Sequence, residues 1–157
     1  MLISNVISTR KREVFFQKNS LIRVPIRLGE DSFTSGHISD INLKRLIKAI
    51  NAFKLIMKVH NILFYKAFAT SALREASNKK YVLKKVLEKC KVKIEIIDGE
   101  KEAMIISKSN VSTIISPDTI FLSIDVGGGS TEFSVLEKGE TISSKSFKLG
   151  TIRLLNN

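Results

Sequence analysis

The chain has 157 residues, 43% of them hydrophobic, and a formal net charge of +11. That length suits one domain or slightly more, and the apolar share is ample for a packed core, which excludes a disordered chain. No run of about 18 apolar residues offers a membrane span, and the lone cysteine, Cys90, excludes an internal disulfide framework or a cysteine zinc site.

The opening stretch MLISNVISTRKR has Ser4 and Asn5 inside its apolar run and no small-residue cleavage pattern. It is a poor signal peptide, so the expectation is a cytoplasmic protein with no membrane partner. Residues 2–8 and 12–18 read as two short strands joined by a Ser-Thr-Arg-Lys turn. Residues 21–28 read as an edge or irregular strand, because Pro25 cannot donate to a ladder. From Asp40, Leu43, Leu46, Ile47, Ile50, Phe53 and Met57 recur at helical spacing, with Ser39 or Asp40 as the cap. Residues 62–68 predict a strand, 69–76 a turn into a short helix, and 79–90 a helix capped by Asn78. A strand at 92–97, a helix over about 100–108 after Gly99, and a polar connection from Ser109 to Asp118 follow. Strands at 119–126, 131–136 and 141–147 surround Gly127-Gly128-Gly129 and Gly139. Strands alternating with helices predict an α/β layer architecture.

The 26 Lys and Arg against 15 Asp and Glu are unevenly placed, and the last 57 residues carry six of each. A basic surplus in the first two thirds attracts polyanions, or it is the solvated face of a helix such as that bearing Lys79, Lys80, Lys84, Lys85 and Lys89. No nucleic-acid module signature accompanies it, so nucleic acid is not an expected partner. His37 and His60 share no ligand spacing with each other or with Cys90 and read as structural or surface residues.

A weak internal repeat is visible. The end of the chain runs strand, DVGGGS turn, strand, hairpin, strand, then LGTIRLL; the start runs strand, hairpin, strand, then RVPIRLGED. The two units match if residues 2–8 correspond to the later unit's second strand, in which case the earlier unit is without its own first strand and glycine turn. A chance likeness of two hairpins would give the same impression.

Three stretches carry chemistry. In Asp125-Val126-Gly127-Gly128-Gly129-Ser130-Thr131-Glu132, glycines let backbone N–H groups converge on an anion, hydroxyls add donors, and Asp125 can hold a divalent cation. Its strand context argues against a linker, and no Gly-Lys-Ser/Thr follows, so it is not a Walker A loop. In Ala69-Thr70-Ser71-Ala72-Leu73-Arg74, an arginine one turn into a helix is a good anion contact, although an ordinary cap with a surface arginine reads the same. In Asp98-Gly99-Glu100-Lys101-Glu102-Ala103, acids at a helix start serve as dipole partners; a carboxylate aimed at a cleft can instead be a general base.

Together ATSALREA, IIDGEKEA, IDVGGGSTEF and KLGTIRL, in this order and spacing, resemble the Ppx/GppA family of exopolyphosphatases and guanosine pentaphosphate phosphohydrolases, within the actin-like ATPase superfamily. RVPIRLGED is also similar to the family's early region, so the resemblance covers nearly the whole chain. It implies ribonuclease-H-like α/β domains with a mixed sheet, facing a cleft. It implies metal-assisted hydrolysis of a phosphoanhydride, with Mg2+ or another divalent cation, on polyphosphate or pppGpp, in the bacterial stringent response. By matching motifs, Glu102 takes the place of the catalytic glutamate that activates water, and Asp125 that of the acid associated with magnesium. Gly127, Gly128, Gly129 and Ser130 match the second phosphate loop, Glu132 an acid of that loop, and Arg74 a cleft arginine. Glu100 is the nearest rival to Glu102.

The family opens with a first phosphate loop resembling IDIGSNSxRLLI, and no such stretch occurs in these 157 residues. The expectation is a first domain over 1–112 without its first strand and loop, followed by the opening strands of a second over 113–157. Missing donors and exposed sheet edges predict little phosphatase activity for this polypeptide alone and association with a second copy. A non-enzymatic anion-binding module and a related kinase or ATPase are the alternatives; GEKEA and ATSALREA argue against the last.

Overall fold

A computed structural model describes residues 1–8, 14–110, 120–138 and 140–155. The chain opens on an antiparallel hairpin, β1 (Leu2–Ser8) and β2 (Val14–Leu21), with a register shift between Ile3 and Ser4. The second strand starts and ends later than the 12–18 expected, and most of the expected turn lies outside the described residues. Of the strand expected at 21–28 only Leu21 is strand, as the last residue of β2, and residues 22–27 belong to no strand or helix. They lead into α1 (Leu28–Thr34), entered through Arg27 in the left-handed region at φ 61°.

That helix escaped the sequence reading because seven residues hold no apolar period. Its support is tertiary and electrostatic. Glu30 and Asp31 occupy its first turn, where the helix dipole favours acids. Asp31 accepts a 2.8 Å bond from the Ser39 N–H, which with neighbouring hydroxyl and amide donors holds its carboxyl below the usual range, against the opposing pull of burial. Ser39 in turn caps α2 (Asp40–Val59), its hydroxyl accepting from the Asn42 N–H at 3.2 Å.

The apolar stripe of α2 packs on α4 (Lys79–Cys90), and Ile38, Leu43, Ile50, Leu73, Val82, Val86, Cys90 and Val92 form one buried cluster. Each fully buried aliphatic there contributes about 1.5–3 kcal/mol of transfer free energy. Asn78 occupies the cap position of α4, but its side chain is engaged elsewhere. It accepts from the Ile38 N–H at 2.9 Å and donates to the Ile38 carbonyl at 2.8 Å, tying two loops together. Lys80, Lys84 and Lys89 are exposed on the outer face of α4, so this part of the basic surplus is a solvated helix face. Cys90 is buried, and desolvation pushes its thiol pKa up; His37 and His60 are exposed.

β3 (Ala67–Ala69) pairs in parallel with β4 (Ile94–Ile96). The strand expected over 62–68 is reduced to this short end, because residues 62–66 have no strand partner among the described residues and leave Leu63 and Phe64 almost fully exposed. The short helix α3 (Ser71–Glu75) follows β3, and α5 (Gly99–Asn110) follows β4. An antiparallel sheet closes the fold: β5 (Ile120–Val126), β6 (Thr131–Glu137) and β7 (Glu140–Phe147), in that order, with α6 (Thr151–Leu155) beyond it. Both parallel and antiparallel pairs are thus present, in three separate sheets among the described residues, and α6 is a helix the sequence reading lacked. The expected domain boundary at 112/113 lies outside the described residues. No helix among the described residues is long and apolar enough to cross a membrane.

Candidate active site

The register of the last sheet builds the site. Asp125 at the end of β5 lies directly opposite Glu132 on β6, and Glu132 lies opposite Ser146 on β7. Directly opposed residues of an antiparallel pair share a face, and like charges so placed are destabilising. Ser146 offsets part of that cost by donating to Glu132 Oε1 at 2.8 Å, which matters because Glu132 is only 2% exposed.

Against this row stands the first turn of α5. Gly99 approaches so closely that a Cβ there would overlap the Ser146 side chain, while lying 3.6 Å from Glu132 Oε1. The capping of α5 falls to Asp98, whose side chain accepts from the Lys101 N–H at 2.8 Å. Glu102, one residue beyond the positions that side chains cap, is therefore released from that duty. Glu100 is exposed, and its rival Glu102 is turned inward, its side chain 16% exposed.

Glu102 Oε2 is buried and has no hydrogen-bond partner among the described residues. Arg74, on α3, holds a guanidinium nitrogen 3.9 Å from it and donates from the same nitrogen to the Ile97 carbonyl at 2.6 Å. Burial, followed by the charge of Glu132, raises the Glu102 carboxyl pKa to about 7; Asp125 adds to the rise, and Arg74 and the Thr70 hydroxyl oppose it. A buried oxygen left unpaired between like charges is the kind of feature that marks a reactive group.

The loop Gly127–Ser130 is closed by a 2.8 Å bond from the Gly127 N–H to the Ser130 carbonyl. Its carbonyls face α6: Thr151 N–H donates to Gly127 O, and Ile152 and Arg153 N–H donate to Gly128 O. Arg153 Nε donates to Gly129 O at 3.1 Å. With the carbonyls so engaged, the N–H groups of Gly128 and Gly129 take part in no backbone hydrogen bond among the described residues, and donors of that kind suit an anion.

Residues that sequence reasoning missed support this loop. The Phe33 ring of α1 lies where a Cβ on Gly129 would collide with it, and a Cβ on Gly150 would collide with the Gly128 backbone. Arg153 stacks 4.7 Å from the Phe33 ring centroid and makes a two-pronged contact with Glu75 at 2.9 and 2.7 Å. The glycines at 129 and 150 were the available signal, since close backbone approach demands that residue type.

Arg74, Glu102, Asp125 and Glu132 are therefore close enough for their charges to act on one another, with Gly127, Gly128, Gly129 and Ser130 continuing the chain from Asp125. Among the described residues no three carboxylate, imidazole or thiol side chains cluster as a metal cage. Hard oxygen donors in excess of cations, one of them unpartnered, nevertheless fit a divalent ion that keeps its own waters.

Comparison with known proteins agrees on the kind of molecule. The model of the Ppx/GppA phosphatase family matches residues 6–157. A bifunctional 3-dehydroquinate synthase/phosphatase of Fusobacterium nucleatum is 34% identical over 133 residues, 82% of this chain and 20% of that protein. Exopolyphosphatase 1 of Mycobacterium tuberculosis is 31% identical over 135 residues, 86% of this chain and 39% of that protein. The crystal structure of an exopolyphosphatase from Cytophaga hutchinsonii superposes with a TM-score of 0.84 at 27% identity, covering 98% of this chain and 48% of that one. The chain thus spans less than half the length of the relatives it matches.

Proposed function

The chain belongs to the Ppx/GppA phosphatase family, and from that premise we propose that it carries the catalytic part of a phosphoanhydride hydrolase that releases orthophosphate from a polyphosphate end or from pppGpp. Residues 1–112 contribute the first domain of such an enzyme, and 113–157 open the second. The observation that carries the reading is the convergence of Glu102, its oxygen unpaired and its pKa about 7, on the carboxylates beside a glycine loop from a distant part of the chain.

A base with a pKa near the working pH is half ionised and can take a proton without being a weak acceptor. Glu102 accepts the proton of a water whose oxygen attacks the terminal phosphorus. The bridging P–O bond breaks, orthophosphate leaves, and the shortened chain carries away the bridging oxygen. The Gly128 and Gly129 N–H groups and Ser130 hold the terminal phosphate, and Arg74 neutralises developing negative charge. Asp125 and Glu132 would hold a divalent cation such as Mg2+ through its waters; when bound, it supplies charge neutralisation at the phosphate. Polyphosphate or pppGpp, not nucleic acid, is the proposed polyanion.

The test is phosphate release with magnesium and polyphosphate or pppGpp. A longer chain joining these residues to the family's first phosphate loop and the remainder of the second domain should turn over. In it, Glu102→Gln should lower kcat by about 10²–10⁴ with polyphosphate binding retained. Unchanged kcat in that variant refutes the role of Glu102. The 157-residue polypeptide alone should release little phosphate, and turnover comparable to an intact two-domain relative refutes that part.

A further inference from the structure

The carbonyls of Gly127 and Gly128 are held by backbone N–H groups of α6, which no side-chain substitution removes. Gly129 O is held differently: among the described residues its donor is a side chain, Arg153 Nε at 3.1 Å. A peptide unit is planar and trans, so its N–H points away from its carbonyl. While Arg153 keeps the Gly129 carbonyl engaged, the Ser130 N–H is turned the opposite way. Like the N–H groups of Gly128 and Gly129, it enters no backbone hydrogen bond among the described residues. With no Cβ at 129, the Gly129–Ser130 peptide turns over at little cost once its carbonyl is released. An oxygen would then stand where a donor stood.

Arg153 is itself held by Glu75, whose two carboxylate oxygens accept from Nη2 at 2.9 and 2.7 Å, and by the Phe33 ring, 4.7 Å from the guanidinium. A guanidinium can meet a carboxylate, a carbonyl and a ring face at once, and an ammonium cannot. On charge alone, an acid one side chain away from an anion loop is a disadvantage, because like charges repel.

We propose that Glu75 is a positioning residue: through Arg153 it fixes the Gly129–Ser130 peptide so that the Ser130 N–H faces the phosphate together with those of Gly128 and Gly129. This role rests on the loop being the phosphate site, and it carries a definite sign. Loss of the Glu75 charge by itself would tighten phosphate binding, whereas loss of its hold on Arg153 weakens it.

The probe is tripolyphosphate with magnesium, titrated into the 157-residue chain labelled with 15N and 13C and read by NMR. In Glu75→Gln without ligand, the Gly129 carbonyl resonance should move, and those of Gly127 and Gly128 should stay. Tripolyphosphate should then bind about tenfold more weakly, the loss of one hydrogen bond to a charged group. Arg153→Lys, which keeps the positive charge, should weaken binding as much. Exchanging the two residues, Glu75→Arg with Arg153→Glu, restores an ion pair without a donor on α6 for Gly129 O, and binding should stay weak. The role of Glu75 is overturned if Glu75→Gln leaves the Gly129 carbonyl unmoved, if it binds tripolyphosphate as well as or better than the wild type, or if the exchanged pair restores binding. Loop amides of the wild-type chain that do not respond to tripolyphosphate refute the loop as the phosphate site, and the role of Glu75 with it, whatever the carbonyl does.

Discussion

Glu102→Gln should stabilise the protein at neutral and alkaline pH and leave it unchanged in acid. In the folded chain the Glu102 carboxyl has a pKa of about 7, against 4.5 for an ordinary glutamate. Between those values the folded protein holds a proton that the unfolded chain has released. Stability therefore falls as pH rises through this window, and the loss is complete above it. At about 1.4 kcal/mol per decade the ceiling is roughly 3 kcal/mol. The Glu102 side chain keeps 16% of its surface exposed, so water screens part of the repulsion from Asp125 and Glu132, and about half of the ceiling, 1–2 kcal/mol, is the working expectation.

Glutamine keeps the shape and removes the charge. Urea unfolding followed by circular dichroism, run on both proteins from about pH 4 to about pH 8, reads the difference. The two curves should coincide near pH 4 and separate steadily above about pH 5. If Glu102 acted as a partner of the α5 dipole, the charge would be favourable, and Gln would cost stability at pH 8. A destabilised variant there, or a gap that does not change with pH, refutes the reasoning.

Three further outcomes rest on other contacts. Gly129→Ala should cost about 2 kcal/mol in denaturant unfolding, because the new methyl meets the Phe33 ring, and Phe33→Leu in the same chain should recover part of it. A double-mutant cycle of Glu75→Gln and Arg153→Gln should give a coupling of about 1 kcal/mol, shrinking in high salt, since both side chains are about a quarter exposed. Asn78→Ala should lower stability by about 2 kcal/mol by stripping the buried Ile38 of partners for both backbone groups, and Asn78→Ser, too short to reach, should not rescue it.

What could be read in the sequence depended on how local its cause is. The stripe of α2 and the last three strands follow from spacing within one segment, and both stand where the periodicity put them. The strand over 62–68 failed because a strand needs an edge to pair with, and Leu63 and Phe64 lie beyond the reach of β4. The acids of GEKEA were visible, but their roles were not. Only the bond from Lys101 N–H to Asp98 shows which side chain caps, and only the burial of Glu102 separates it from exposed Glu100.

The glycine loop is the furthest case. Its residues are among the plainest signals in the chain, yet its shape is set by Phe33 from the first quarter and by Gly150 and Arg153 from the end. The contact of Arg153 with Glu75 carries that constraint to α3, the helix that also presents Arg74 to Glu102. A loop held from both sides in this way keeps its carbonyls bound to α6 and its N–H groups available. Loosening the Arg153 contact should therefore weaken anion binding at the loop before it disturbs Glu102, whose position depends on α5 and the β6–β7 pair.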